Sequence, residues 1–170
     1  GRTERVARGM GLTVLDAGVL IGFLDRGDAH HHGAIAALRD AAGRNDRLFL
    51  PASAFAEILV GPSRQGAASV AVVPDVLGKL AVEIEPLDAD VAVTAAALRA
   101  RHRSLKLPDA LVIATAIHLD ADHLVTTDRR WPSRSRLGLR GRITAIRASA
   151  EGVSGRPPGT AGPPTPAFVT

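Results

Sequence analysis

Short apolar runs alternate with longer, mostly apolar stretches through most of this chain. The short runs predict β-strands and cover residues 13–15, 47–50, 82–86, 123–126 and 142–146. The longer stretches predict helices over residues 17–24, 28–42, 51–60, 89–103 and 108–119. Strands that alternate with helices are typical of an α/β fold, in which a mainly parallel central sheet has helices on both faces.

The pattern is weaker between residues 61 and 80. Residues 61–66, with the sequence GPSRQG, predict a turn or a short lid. Residues 67–80 are helical in parts, with breaks predicted near Pro74 and Gly78 because neither residue type favours a helix interior. We therefore expect the helical layer to be interrupted in this region.

The two ends of the chain differ in composition from the part between them. Residues 1–11 show no apolar period and carry three arginines, so we interpret them as an N-terminal extension, with Met10 a candidate natural start. Residues 148–170 are rich in Gly and Pro and offer too little apolar surface to offset the entropy lost on ordering. We predict one domain over residues 12–147, followed by a disordered tail.

Composition narrows the class of protein. Apolar residues make up 46% of the 170 residues but aromatic residues only 3%, so the core must consist mainly of Ala, Val, Leu and Ile. The absence of Cys excludes disulfides, thiolate metal sites and a Cys nucleophile. The apolar runs are too short to span a bilayer, and no signal-peptide pattern follows the basic residues 1–10. We expect a cytoplasmic protein with no membrane partner.

Positive charge is concentrated late in the chain. Seven arginines and no acidic residue lie from Arg129 to Arg147, whereas the whole chain has a formal net charge of +4. The rest of the chain therefore carries a net charge of −3. Such a basic block is either a solvated surface or a phosphate-binding one.

Four carboxylates stand at conspicuous places in the predicted elements. Asp16 and Asp128 directly follow predicted strands. Asp109 lies in the first turn of a nearly uncharged helix, and Glu57 interrupts an apolar helix. Each also has a simpler explanation. Asp16 suits a helix N-cap and Asp109 a favourable interaction with the helix dipole, whereas Glu57 suits a solvent-facing side chain and Asp128 a turn.

The predicted topology would bring these carboxylates to one rim, because sites in parallel sheets form beyond the carboxyl ends of the strands. Crowded carboxylates repel one another and require either a cation or raised pKa values. Ligation by oxygen alone suits Mg²⁺ or Mn²⁺ rather than zinc. An acidic site of this kind can activate water against a phosphodiester, while nearby arginines hold the polyanion.

Four segments occur in the order TVLDAGVLIGFLD, AFAEILVG, LPDALVIATA and LVTTDRRW. Together they resemble PIN-domain ribonucleases, most of all the VapC-like toxins of type II toxin–antitoxin systems. The resemblance runs from about Leu12 to Trp131. By position it makes the catalytic, metal-binding acidic quartet of these nucleases correspond to Asp16, Glu57, Asp109 and Asp128.

The resemblance also implies a PIN-like three-layer α/β/α sandwich, a homodimer, bound Mg²⁺ or Mn²⁺, endonucleolytic cleavage of RNA and inhibition by a cognate VapB-like antitoxin. We expect tRNA or rRNA as the substrate class. This chain has Ala17 and Gly18 where many members carry a small polar residue after the first Asp. The basic segment after Trp131 and the Pro/Gly-rich tail extend past the usual end of the family.

Basic residues close to the acids in sequence are the candidate RNA-binding residues: Arg103, Lys106, Arg129 and Arg130. Because Arg140 and Arg142 lie further along the chain, we expect them to contribute less. A solvated edge or an antitoxin-facing surface is the alternative for residues 134–147.

Two alternatives from other functional classes remain at this stage. A PIN-like module that binds RNA or a protein partner without cleaving RNA would keep the fold but lack the activity. A phosphotransfer domain, either haloacid-dehalogenase-like or receiver-like, would also place an Asp at a strand end. Gly18 stands where the phosphatase requires a second Asp, and the chain lacks the receiver's early acidic pair and late Lys.

Overall fold

The computed structural model of this protein describes residues 10–149. Within that range five strands form one sheet: β1 (Leu12–Leu15), β2 (Arg47–Pro51), β3 (Val82–Glu85), β4 (His123–Thr126) and β5 (Arg142–Ala145). The spatial order is β3-β2-β1-β4-β5, and every neighbouring pair is parallel. The sheet is thus wholly parallel where the sequence predicted a mainly parallel one.

Seven helices flank this sheet in the described part of the chain: α1 (Ala17–Leu24), α2 (His31–Gly43), α3 (Ala52–Gln65), α4 (Ala67–Lys79), α5 (Ala89–Arg101), α6 (Leu107–His118) and α7 (Arg134–Leu137). The arrangement confirms the predicted α/β/α sandwich. None of these helices combines the length and the apolar character needed to cross a membrane.

The core lies between the sheet and the helices and is aliphatic, as the composition predicted. Leu15 of β1, Leu50 of β2 and Leu124 of β4 are fully buried because central strands of a parallel sheet are covered on both faces. Helix α6 adds a continuous buried segment, with Val112 and Ile113 inside the core. Its nearly uncharged sequence is therefore explained by burial on most sides.

The predicted interruption between residues 61 and 80 is wrong. Helix α3 continues through Pro62 to Gln65, and α4 continues through Pro74 to Lys79. The two helices pack against each other, and Val73 and Leu77 of α4 are buried. Burial of this apolar face outweighs the local cost of the prolines, a contribution that single-residue propensity does not include.

Other boundaries shift by a few residues. Helix α2 begins at His31 rather than Asp28, and the short helix α7 was not predicted. The predicted extension over residues 1–11 and the predicted tail over residues 148–170 lie almost wholly outside the described residues. The domain boundaries therefore stay predictions.

The connectivity determines where a site can form. From the central strand β1 the chain builds β2 and β3 on one side, then returns to add β4 and β5 on the other. The direction of winding thus reverses between β1 and β4. In open parallel sheets, ligands bind beyond the carboxyl ends of the strands at such a reversal. Asp16 follows β1 and Asp128 lies in the loop after β4, so both flank this point.

Candidate active site

Asp16 is held between β1 and α1 by two hydrogen bonds. Its Oδ1 accepts from the backbone N–H of Ala17 at 2.8 Å, as an N-cap does, and its Oδ2 accepts from the hydroxyl of Thr126 at 2.6 Å. The side chain is buried, with 9% of the residue exposed. Asp16 is therefore both a helix cap and a fixed carboxylate at the reversal point.

Burial raises the pKa of Asp16 to about 6. The hydrogen bonds from Thr126 and Ala17 oppose this rise, whereas the negative charges of Asp109 and Glu57 add to it. The Asp16 carboxylate consequently lies within electrostatic reach of two other members of the predicted quartet. Such a group gains free energy from a bound cation, which stabilises its ionised form.

Asp109 lies in the first turn of α6, where Pro108 occupies an early helical position. Burial raises the pKa of its half-buried carboxyl, and the charge of Asp128 raises it further. The backbone at Lys106 and the indole N–H of Trp131 act in the opposite direction. Trp131 Nε1 is buried and has no hydrogen-bond partner among the described residues, so its N–H lowers the pKa of Asp109 electrostatically.

Asp128 is engaged by Arg130 in an ion pair. Arg130 Nε donates to Asp128 Oδ1 at 3.0 Å and Arg130 Nη2 donates to Oδ2 at 2.9 Å, while the Arg130 backbone N–H also donates to Oδ1 at 2.8 Å. These contacts lower the pKa of Asp128. A guanidinium thus occupies both oxygens of this carboxylate.

Glu57 extends from the exposed side of α3. It lines an open cavity of about 530 Å³ together with Ile21 and Leu24 of α1. Its negative charge raises the pKa of Asp16. Glu57 therefore approaches the site from a different wall than Asp109 and Asp128, which line a separate cavity.

The predicted quartet is only partly gathered. Electrostatic coupling links Asp16 to Glu57 and Asp109, and Asp109 to Asp128. Within residues 10–149, however, no three His, Cys, Asp or Glu side chains lie close enough to surround one ion. The donor chemistry fits Mg²⁺ or Mn²⁺, because the groups are carboxylates and two of them resist ionisation without a cation.

Thr126 connects the two ends of this site and was missed from the sequence. Its hydroxyl donates to Asp16 Oδ2 and accepts from the backbone N–H of Asp128 at 3.0 Å. Thr126 is fully buried at the end of β4. A hydroxyl residue at a strand end close to an acid is a signal for such a role in the sequence. It was not sufficient here, because the burial of Thr126 is not evident from the sequence.

Gly18 accounts for one departure from the family pattern. A Cβ on Gly18 would meet Thr127 Oγ1 and would lie 3.1 Å from Thr127 Cγ2. A side chain at this position would push Thr127 away from α1. The first turn of α1 can therefore approach the loop after β4 only because residue 18 has no side chain.

A cavity of about 160 Å³ lies beside Asp109 and Asp128 and is also lined by Lys106, Arg130 and Trp131. It contains two of the predicted RNA-binding residues, Lys106 and Arg130. The exposed Arg129 lines a larger neighbouring cavity. Arg103 is exposed in the loop before α6 and lines neither of these two cavities. The structure thus places three of the four candidate basic residues around the acids.

Several solved structures share this fold, and three of them illustrate the likeness. A toxin–antitoxin complex from Klebsiella pneumoniae aligns with a TM-score of 0.57 and 24% identity, covering 69% of this chain and 88% of that one. VapBC2 from Rickettsia felis, bound to promoter DNA, aligns with a TM-score of 0.60 and 15% identity over 80% and 99% of the two chains. VapC20 from Mycobacterium tuberculosis, a toxin that cleaves the sarcin–ricin loop, gives 0.54 and 19% over 66% and 86%.

The sequence comparisons agree with this structural likeness. No curated protein sequence matches the chain at a significant level. The sequence model of the PIN domain family matches residues 13–137, which is most of the chain and includes all four predicted acids. The resemblance inferred from the four sequence segments is thereby confirmed. This chain belongs to the PIN domain family.

Proposed function

We propose that this protein is a metal-dependent endoribonuclease and the toxin of a toxin–antitoxin pair. The observation that carries the proposal is the electrostatic interaction between the buried Asp16, beside the reversal point of the sheet, and the half-buried Asp109 of α6. A fold has little need of two carboxylates whose pKa values are both raised, since they oppose its stability. The PIN family match supports nuclease activity.

Asp16, Glu57, Asp109 and Asp128 are the residues that would hold Mg²⁺ or Mn²⁺. When bound, such a cation supplies an activated water and neutralises charge on the phosphodiester. The chain itself contributes fixed positions: Thr126 holds Asp16, and the first turn of α6 holds Asp109. Lys106, at the N-terminus of α6, adds positive charge beside Asp109 for the approaching polyanion.

RNA binding would use the basic residues that surround these acids. Lys106 and Arg130 line the cavity beside Asp109, and Arg129 lines the adjacent one. Arg103 stays a candidate on the loop before α6. VapC20 acts on the sarcin–ricin loop of ribosomal RNA, which supports tRNA or rRNA as the substrate class to test first.

We also propose a VapB-like antitoxin as partner, since structures of this fold include toxin–antitoxin complexes. The cavity at Glu57 offers the partner an acidic group beside apolar side chains, with Ile21 37% and Leu24 41% exposed. A basic side chain set among apolar ones would complement it. A homodimer and a cytoplasmic location complete the proposal, on the basis of the family resemblance.

A non-cleaving PIN module is the second candidate, and one observation favours it. Arg130 already neutralises Asp128, and no three acidic side chains in the described range surround one point. Such a protein would bind RNA or its partner without hydrolysis. The phosphotransfer alternative gains no support, because the PIN family model covers the same residues.

Cleavage of total RNA by the purified chain, with Mn²⁺ or with chelator, tests the proposal. We expect cleavage only with metal, and Asp109→Asn should abolish it while circular dichroism shows a retained fold. Asp90→Asn is the matched control, because Asp90 is an exposed acid in the first turn of α5. Metal-independent cleavage, or equal activity of the Asp109→Asn protein, would reject the site. RNA binding without cleavage would establish the second candidate.

The toxin role requires a separate experiment in cells. Expression of the wild-type chain alone should slow growth, and expression of Asp109→Asn at the same level should not. Growth should recover when an antitoxin is co-expressed. If the wild-type chain is harmless at high level but cleaves RNA in vitro, the protein is a nuclease with another role.

A further inference from the structure

A second cavity, of about 460 Å³, opens next to the acidic site. Three arginines from separate elements line it: Arg129 from the loop after β4, Arg134 from the start of α7 and Arg142 from the start of β5. All three are exposed. Residues distant in sequence thus converge on one concave, positively charged surface, which we call the arginine cavity.

The arginine cavity has an excess of positive charge. Asp128 is the one acidic residue that lines it, and Arg130 already pairs with both oxygens of that carboxylate. In the described residues the three lining guanidiniums have no carboxylate partner among the ion pairs. Guanidinium groups without a carboxylate partner bind phosphate oxygens well, because each phosphate oxygen accepts hydrogen bonds from several N–H donors at once.

The arginine cavity adjoins the cavity beside Asp109. Asp128, Trp131 and Pro132 line both it and the smaller cavity beside Asp109. A polynucleotide laid over these three shared residues would have one cavity on each side. The volume is far larger than one phosphate group needs, which favours a polymer over a small phosphorylated ligand.

We propose that the arginine cavity binds the backbone of single-stranded RNA on one side of the cleaved phosphodiester, through phosphates held by Arg129, Arg134 and Arg142. The inference rests on the proposed nuclease function only for cleavage of the phosphodiester at the acidic site. Binding of RNA in the arginine cavity does not require that the protein cleave it. It reverses the expectation from sequence that Arg142 contributes less than Arg130, because Arg130 is occupied by Asp128 and Arg142 is not.

The test measures binding of a fluorescent oligouridylate of about 10 nucleotides, a length that fits single-strand binding sites. Binding is measured with chelator in the Asp109→Asn background, at salt concentrations from about 50 to 200 mM. Log affinity falls as log salt rises, and each lost phosphate contact should make this slope less negative by about 0.7. We expect this change for Arg129→Ala and for Arg142→Ala, and a larger one for Arg142→Glu.

Arg140→Ala is the matched control. Arg140 is an exposed arginine of the same basic block, but it lines a different cavity beside Ile117 and Asp120. Its removal should leave the slope unchanged. Arg134 also donates to the carbonyl of Arg140 at 3.4 Å, so the test relies on Arg129 and Arg142, which have no such contact with the loop in the described part of the chain.

Equal slopes for Arg142→Ala and Arg140→Ala would overturn the proposal, because charge alone would then matter and not position. Slopes equal to that of the parent protein in all variants would also overturn the proposal. The arginine cavity would then be a surface for binding a protein partner and not RNA. Cleavage assayed separately with Mn²⁺ keeps the two proposals distinct. A slope change without cleavage supports RNA binding in the arginine cavity and rejects nuclease activity. Cleavage without a slope change supports nuclease activity and rejects RNA binding in the arginine cavity.

Discussion

At the scale of single residues, Asp16 is the N-cap of α1 and also a candidate metal ligand, and these two interpretations are compatible. One oxygen caps α1 through Ala17 and the other accepts from Thr126. The hydrogen bond from Ala17 fixes the position of the carboxylate, and burial raises the free energy of its ionised form. A residue at a strand-to-helix junction can therefore be structural and chemically poised at once.

The first prediction concerns the pH dependence of Asp16→Asn without metal. The folded state raises the pKa of Asp16 from 3.8 to about 6, so the native state binds more protons between these values and wild-type stability falls as pH rises through them. The loss approaches about 3 kcal/mol above pH 6, at about 1.4 kcal/mol for each pKa unit. Asn does not titrate, and it caps helices well.

The variant should therefore gain stability relative to the wild type between about pH 4 and pH 7. Urea unfolding with chelator at a series of pH values measures this difference. Asp90→Asn, which changes an exposed acid, should show a much smaller trend. A constant difference between Asp16→Asn and the wild type across this range would contradict the raised pKa.

The second prediction concerns Arg130, which competes with a cation for Asp128. Removal of the guanidinium in Arg130→Ala should tighten Mn²⁺ binding several-fold, because both oxygens of Asp128 become available. Isothermal titration of the metal into chelator-treated protein measures the change. Arg129→Ala removes a charge from the adjacent residue, which has no ion pair in the described region, and should have a smaller effect.

A double-mutant comparison makes this prediction specific. In an Asp128→Asn background the Arg130→Ala change should no longer tighten Mn²⁺ binding, since the pair it relieves is absent. If Arg130→Ala has the same effect in both backgrounds, it acts through general charge and not through Asp128.

At the scale of elements, packing decided where local propensity failed. Pro62 and Pro74 lie inside α3 and α4, which remain helical because they pack against each other. Helix α4 ends near Ala81, whose φ of 52° lies in the left-handed region that favours glycine. The turn into β3 thus holds a non-glycine residue in a strained backbone conformation.

The third prediction is that Ala81→Gly stabilises the protein by about 0.5–1 kcal/mol, because relief of the left-handed strain exceeds the added entropy of the unfolded chain. Denaturant unfolding measures the change. Ala96→Gly, at an exposed interior position of α5, is the control and should destabilise by about 1 kcal/mol. Destabilisation by both substitutions would show that Ala81 is not strained.

At the scale of the whole molecule, the order of the strands organises the site. The reversal between β1 and β4 places Asp16 and Asp128 after the ends of adjacent strands although they are far apart in sequence. Thr126 then links them through two hydrogen bonds. The arginine cavity arises in the same way, since β5 and α7 return to the loop after β4.

The fourth prediction is that Mn²⁺ stabilises the entire fold by mass action. At a free concentration about 100-fold above Kd, binding adds roughly 2.7 kcal/mol, which corresponds to a rise in Tm of roughly 5–10 °C. Differential scanning calorimetry at constant ionic strength measures it. Asp109→Asn should show a smaller rise. Equal shifts for both proteins would mean that the metal binds elsewhere.

The α/β class and the five strands of the described chain were predictable from local patterns, and the four acids were selected as candidates in the same way. These patterns are apolar runs of strand length, helix starts and acids at element boundaries. The match of segments to PIN domains added the correct family. The acids were identifiable because a carboxylate at a junction such as Asp16 or in an apolar helix such as α6 is unusual in its own neighbourhood.

Which side chains meet depends on how the elements pack in three dimensions. The pairing of Arg130 with Asp128, the bridging role of Thr126 and the convergence of Arg129, Arg134 and Arg142 all depend on side-chain direction and on contacts between elements. Distance along the chain did not show that Arg142 lines a cavity with Arg129, because a parallel sheet brings β5 back beside β4. Burial, which sets the pKa of Asp16, is likewise a property of the packed molecule, because water is excluded only when several elements close over one group.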